Sequence, residues 1–128
     1  MTVGLSEKDI QQGIINQANR RPDVRLFRNN IGIGFQGNVL VEENGKIILA
    51  NARRIRFGLQ EFSGDLIGWK SMKITPDMVG LTVAVFVSEE VKSPTGRIGE
   101  GQKNWTAQVI KAGGIAKIVR SIEDGAEI

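Results

Sequence analysis

A chain of 128 residues with 41% hydrophobic and 24% charged side chains can bury one core without covalent staples, so a single domain over 1-128 is expected. It has no Cys, His or Tyr, which removes disulfides, zinc sites built on thiolate or imidazole, Cys nucleophiles, Ser-His-Asp triads and covalent tyrosyl links to DNA. A formal net charge of +3, a pI of about 9.5 and clustered Arg favour a polyanionic partner, and the lack of a secretory h-region or a run of about 18 apolar residues predicts a cytoplasmic protein.

Taken in chain order, Ser6 and Asp9 mark an N-cap with an acidic first turn, and Leu5, Ile10, Ile14, Ile15 and Ala18 recur at helical spacing. This predicts a helix from Glu7 to Arg20, stopped by Pro22, then a short strand from Val24 to Arg28. Asn29 to Asn38 is Gly-rich and expected as a loop. Its run Gly32-Ile33-Gly34-Phe35-Gln36-Gly37 has dinucleotide-binding spacing, but β-prone Asn38-Val39-Leu40-Val41 follows where a helix N-terminus would have to hold the pyrophosphate, so the motif is discounted. Val39 to Glu42 and Lys46 to Leu49 form a hairpin about Asn44-Gly45, and Arg53 to Leu59 continues as a β segment.

Ser63-Gly64-Asp65-Leu66-Ile67-Gly68-Trp69 reads as a turn entering a strand. Lys70 to Gly80 connects it, with a turn or one-turn helix at Thr75-Pro76-Asp77, to a long apolar strand from Leu81 to Val91. Ser93 to Gly101 has loop composition, Gln102 to Ala112 reads as a helix capped by Gly113-Gly114, Ile115 to Val119 as a strand, and Ser121 opens a short closing helix. The order predicts an α/β domain with a mixed central β-sheet flanked by helices.

Chemistry concentrates at two strand ends. Side chains alternate along a strand, so Glu90 and Lys92 share one face while Glu89 and Val91 share the other. If the strand entered at Asp65 is a hairpin neighbour, a second carboxylate joins this carboxylate and ammonium, which is equipment for metal-dependent phosphodiester hydrolysis. Each piece has a plainer reading: Gly-Asp is a common solvated turn, and Glu90 with Lys92 could be a surface ion pair.

Gly64-Asp65, then Glu90-Val91-Lys92 about 25 residues on, then a helix bearing Gln102, resembles the PD-(D/E)xK nuclease superfamily. Glu7 on the first helix and the segment Gly101-Gln102-Lys103-Asn104-Trp105 through Ala112-Gly113-Gly114 are similar to its VRR-NUC family. The likeness runs from Glu7 to about Val119, and Gly64 stands where the superfamily pattern has Pro. It implies a restriction-endonuclease-like core. It further implies that Asp65 and Glu90 ligate Mg²⁺ or Mn²⁺ with the Val91 carbonyl as a third ligand, and that Glu7 completes or bridges the site. Lys92 would orient the attacking water or stabilise phosphate charge, and Gln102 would position Lys92 or the scissile phosphate. Stand-alone members, typical of phages and prophages, resemble Holliday-junction resolvases in forming homodimers. The resemblance thus implies four-way DNA junction cleavage in a bacterial or phage-infected cell.

Arg20, Arg21, Arg25 and Arg28 form one basic group and Arg53, Arg54 and Arg56 another, with Lys103, Lys111 and Lys117 as weaker candidates. In a nuclease these would contact phosphates without reading sequence. Trp69 and Trp105 are expected in the core rather than as stacking platforms. Alternatives are a flap or other structure-specific nuclease, a non-catalytic nucleic-acid-binding module, or a purely structural assembly role.

Overall fold

The computed structural model describes residues 4–128, a mixed α/β chain of three helices and three two-stranded sheets. The chain divides into two compact units. The first takes the chain up to Ile14 together with Leu26–Ile67, and the second comprises Ile15–Arg25 and Gly68–Ile128.

Helix α1 spans Glu7–Ala18. Ser6 caps it as expected: its Oγ accepts from the Asp9 N–H at 3.2 Å and donates to the Asp9 carboxylate at 2.7 Å. The helix ends at Ala18, two residues before the expected Arg20, and the Arg21 N–H closes a turn onto the Ala18 carbonyl at 3.0 Å just ahead of Pro22. Strand β1 (Val24–Arg28) then pairs with β4 (Leu66–Lys70). Asn29 N–H donates to the Asp65 carbonyl at 2.9 Å and Ser71 N–H to the Asp23 carbonyl at 2.7 Å, which joins opposite ends of the two strands and makes them antiparallel.

In the first unit, β2 (Gly32–Glu43) and β3 (Lys46–Phe57) form a long antiparallel hairpin. Asn44 and Gly45 make its turn with φ of 49° and 73°, the doubly left-handed geometry whose twist matches that of the flanking strands. The Gly-rich stretch expected as a loop is therefore mostly strand. The reason lies across the ribbon: the Phe57 ring covers Gly32, and a Cβ at Gly37 would come within 2.8 Å of the Ala50 carbonyl where the register slips.

In the second unit, β5 (Val87–Val91), α2 (Glu100–Lys111) and β6 (Ile115–Val119) form a parallel β-α-β unit in which Val87 faces Ile115 and Val91 faces Val119. The strand expected from Leu81 begins only at Val87. Residues 81–86 have the apolar composition of a strand but no ladder partner, since β6 is five residues long. The expected pairing of the Asp65 strand with the Glu90 strand is likewise corrected: β4 pairs with β1 and β5 with β6, so three small sheets stand in place of one central sheet.

Val109 and Val119, 1% and 2% exposed, are the tightest packed apolar residues of the β-α-β unit. Trp69, Phe86 and Trp105 form a ring cluster with centroids 5.0, 5.7 and 6.4 Å apart, and Trp105, expected in the core, is 39% exposed, with its Nε1 donating to Ser88 Oγ at 2.8 Å. An apolar cavity of about 520 Å³ opens among Trp69, Met72, Leu81, Val85 and Phe86. The chain closes with α3 (Ile122–Ala126), whose cap Ser121 accepts from the Asp124 N–H. Among the described residues no helix is long and apolar enough to cross a membrane.

Candidate active site

The C-terminal end of β5 carries the densest polar geometry. The parallel ladder continues past the strand, with the Lys92 N–H donating to the Val119 carbonyl at 2.9 Å, so the backbone beneath Glu90 and Lys92 is fixed. Both side chains leave on one face, as alternation requires, and Lys92 Nζ lies 3.4 Å from Glu90 Oε1. The same oxygen accepts from Gln102 Nε2 at 2.7 Å. Gln102 uses both ends of its amide, because its Oε1 accepts from the Gly99 N–H at 2.9 Å and so satisfies a donor at the start of α2.

Magnitudes separate the two contacts to Glu90. A hydrogen bond to a charged group contributes about 1.5–3 kcal/mol, whereas a partly exposed ion pair contributes about 0–1 kcal/mol. Gln102 is thus what orients the Glu90 carboxylate, and Lys92 adds a nearby positive charge. The resemblance implied that Gln102 positions Lys92 or a phosphate; the structure bonds it to Glu90.

The opposite face of β5 is structural. Glu89 lies 3.8 Å from Lys117 Nζ, and Lys117 donates to the Asp124 and Glu127 carbonyls at 2.6 Å each, pinning the chain around α3. Val91, 72% exposed, is the last residue of β5.

Asp65 and Glu7 belong to the first unit. Asp65 stands exposed just before β4, and its carboxylate has no hydrogen bond or ion pair among the described residues. Its backbone, by contrast, is held through a residue that sequence reasoning passed over. Asn29 is 8% exposed and donates from Nδ2 to Ser63 Oγ and to the Gly64 carbonyl, both at 2.8 Å. Its Oδ1 accepts from the Leu59 N–H at 2.9 Å, and its own N–H bonds the Asp65 carbonyl. One buried amide fixes both ends of the 59–65 loop; in the sequence it looks like any polar residue after a strand. Glu7, in the first turn of α1, borders an open hollow of about 680 Å³ with Lys8, Gln11, Arg28 and Asn30.

The basic residues divide by what they touch. Arg28 donates to Gln11 at 2.7 Å and Gln12 at 3.1 Å, Arg25 donates to the Arg21 and Val24 carbonyls, and Arg21 pairs with Asp23 at 2.8 Å. That hydrogen bond from the Arg21 guanidinium holds the Asp23 carboxyl below the usual carboxylate range. Lys103 pairs with Glu100 one turn away at 3.2 Å. On β3, Arg53 donates to Gln36 at 3.0 Å, while the exposed side chains of Arg54 and Arg56 have no hydrogen bond or ion pair among the described residues.

Among the described residues no three Asp or Glu side chains form a group that could hold a metal ion. No family model, characterised protein or solved structure matches the chain.

Proposed function

We propose that the protein is a metal-dependent DNA endonuclease of the VRR-NUC type, with a restriction-endonuclease-like core, acting in the cytoplasm on phosphodiester bonds. The observation that carries this reading is the Glu90, Lys92 and Gln102 constellation, a carboxylate oriented by an amide beside an ammonium at the end of one strand.

By the resemblance, Glu90, Asp65, the Val91 carbonyl and Glu7 would be the ligands of Mg²⁺ or Mn²⁺; the three carboxylates are not gathered into one metal-holding group among the described residues. Their chemistry fits: all are hard oxygen donors, and Mg²⁺ is commonly held by one or two carboxylates together with water and substrate phosphate rather than by an all-protein cage. Gln102 donates to Oε1 of Glu90, and Lys92 stands beside the same oxygen. When bound, the ion supplies a polarised phosphate and an activated water in a protein that has no His base. Gln102 holds the carboxylate in one orientation, and the Lys92 ammonium offers a compact positive charge to the phosphoryl oxygens as negative charge accumulates on them.

The favoured substrate is a four-way DNA junction cut by a homodimer, because two copies bring two active sites and a doubled basic face. The test is cleavage of matched labelled four-way, flap and linear DNAs in Mg²⁺, Mn²⁺ and EDTA, by wild type and Asp65→Asn, together with sedimentation. Paired nicks that need a divalent ion and vanish in the variant support the proposal. A monomer with no preference for junctions contradicts the resolvase assignment. Salt-sensitive binding without cleavage of any DNA leaves a non-catalytic module in its place.

A further inference from the structure

The β2–β3 hairpin has two unlike faces. Residues directly opposite in an antiparallel ladder share a face, so the register Ile33↔Arg56 and Phe35↔Arg54 puts two Arg, a Phe and an Ile together. Gly32↔Phe57, Gly34↔Ile55 and Gln36↔Arg53 occupy the other face, where the Phe57 ring lies over Gly32 and Arg53 is bonded to Gln36. Three neighbouring Arg on one strand thus sort into one that is engaged within the hairpin and two that are not.

We infer that the face formed by Arg54, Arg56 and Phe35 is a contact surface for the backbone of duplex DNA, an inference that rests on DNA being the substrate. Charge complementarity argues for it. The half of the ribbon away from the turn carries Arg53, Arg54 and Arg56 and no acid, and the acids Glu42 and Glu43 sit at the turn. The ribbon therefore meets phosphates along its broad face and not with its negatively charged tip. Phe35, 64% exposed and opposite Arg54 in the ladder, gives apolar area against deoxyribose. A two-stranded ribbon is narrow enough to lie along a DNA groove, and the two register slips, at Gln36/Asn38 and Val39/Val41, add the twist that following a groove requires.

The experiment measures binding of a labelled linear duplex in EDTA as a function of salt, for wild type, Arg54→Gln, Arg56→Gln, the double variant and Arg53→Gln, with thermal melting and sedimentation of each. Arg53→Gln removes the same charge from the opposite face. Two phosphate contacts predict a double variant bound about 10- to 60-fold more weakly near 0.1 M salt, its log–log salt slope shallower by about 1.8, with Arg53→Gln close to wild type. Equal effects of all three single substitutions, or none, with wild-type binding intact, would overturn the inference alone. A double variant that falls apart into smaller species in sedimentation would overturn it in favour of a face buried against a second copy. Failure of the wild type to bind duplex at low salt would remove the DNA reading itself.

Discussion

Glu90 and Asp65 are held in opposite ways. Glu90 is gripped by its side chain: Gln102 donates to it at 2.7 Å and Lys92 stands at 3.4 Å, so its carboxylate has one orientation before anything binds. Asp65 is gripped by its backbone. Asn29 bonds its carbonyl and fastens the loop before it, while the carboxylate itself is exposed and has no partner among the described residues. A fixed carboxylate beside a cation suits a permanent role in charge placement, and an untethered one on a fixed turn suits a ligand that is engaged only when an ion or substrate arrives.

Breaking the backbone grip should have the largest effect on stability. Asn29→Ala removes the three side-chain hydrogen bonds to Ser63, Gly64 and Leu59, each worth about 0.5–1.5 kcal/mol net, and frees the loop carrying Asp65. Urea denaturation should show a loss of about 2–4 kcal/mol, and cleavage should fall even at temperatures where the variant is folded. Unchanged stability would mean that the 59–65 loop is held by other contacts.

Breaking the side-chain grip should act on activity more than on folding. Gln102→Ala removes a hydrogen bond to a charged group, and if most of its worth is spent on orienting Glu90, turnover falls about 10- to 100-fold with a small change in melting temperature. Gln102→Glu should do worse, since it sets a second carboxylate against Glu90. Single-turnover cleavage of the junction measures both; wild-type rates in both would reduce Gln102 to a helix cap.

The smallest effect belongs to Asp23 at the start of β1. Its carboxyl is held below the ordinary range by the Arg21 hydrogen bond, so the stabilisation is complete above the unfolded value and is lost as pH falls through the lowered folded value. An NMR titration of Asp23 in wild type and Arg21→Ala should show the apparent pKa rising in the variant. An unchanged titration would show that the exposed pair is fully screened.

The legible parts of the sequence were those whose cause is local. Short apolar stretches bounded by turn residues placed β1 and β6 to the residue, Ser6 and Ser121 marked helix starts, and Asn44-Gly45 named its own turn. What was missed depends on partners far along the chain. The glycines at 32 and 37 resemble a loop until Phe57 and Ala50 are seen across the ribbon, and Leu81 to Phe86 reads as strand although no ladder receives it. At the site, strand alternation was enough to pair Glu90 with Lys92. The Gln102 contact, twelve residues away, exists only because α2 folds back beside β5, and the importance of Asn29 comes entirely from burial by a loop thirty residues later.

The most direct test of the central claim is single-turnover cleavage of a labelled four-way junction in Mg²⁺ by wild type, Glu90→Gln and Lys92→Ala, with junction binding measured alongside. The account predicts junction binding by all three proteins and a loss of cleavage of at least about 10²-fold in each variant. Wild-type cleavage by either variant, or a wild type that binds the junction and never cuts it, would contradict the assignment of this constellation as the chemical centre.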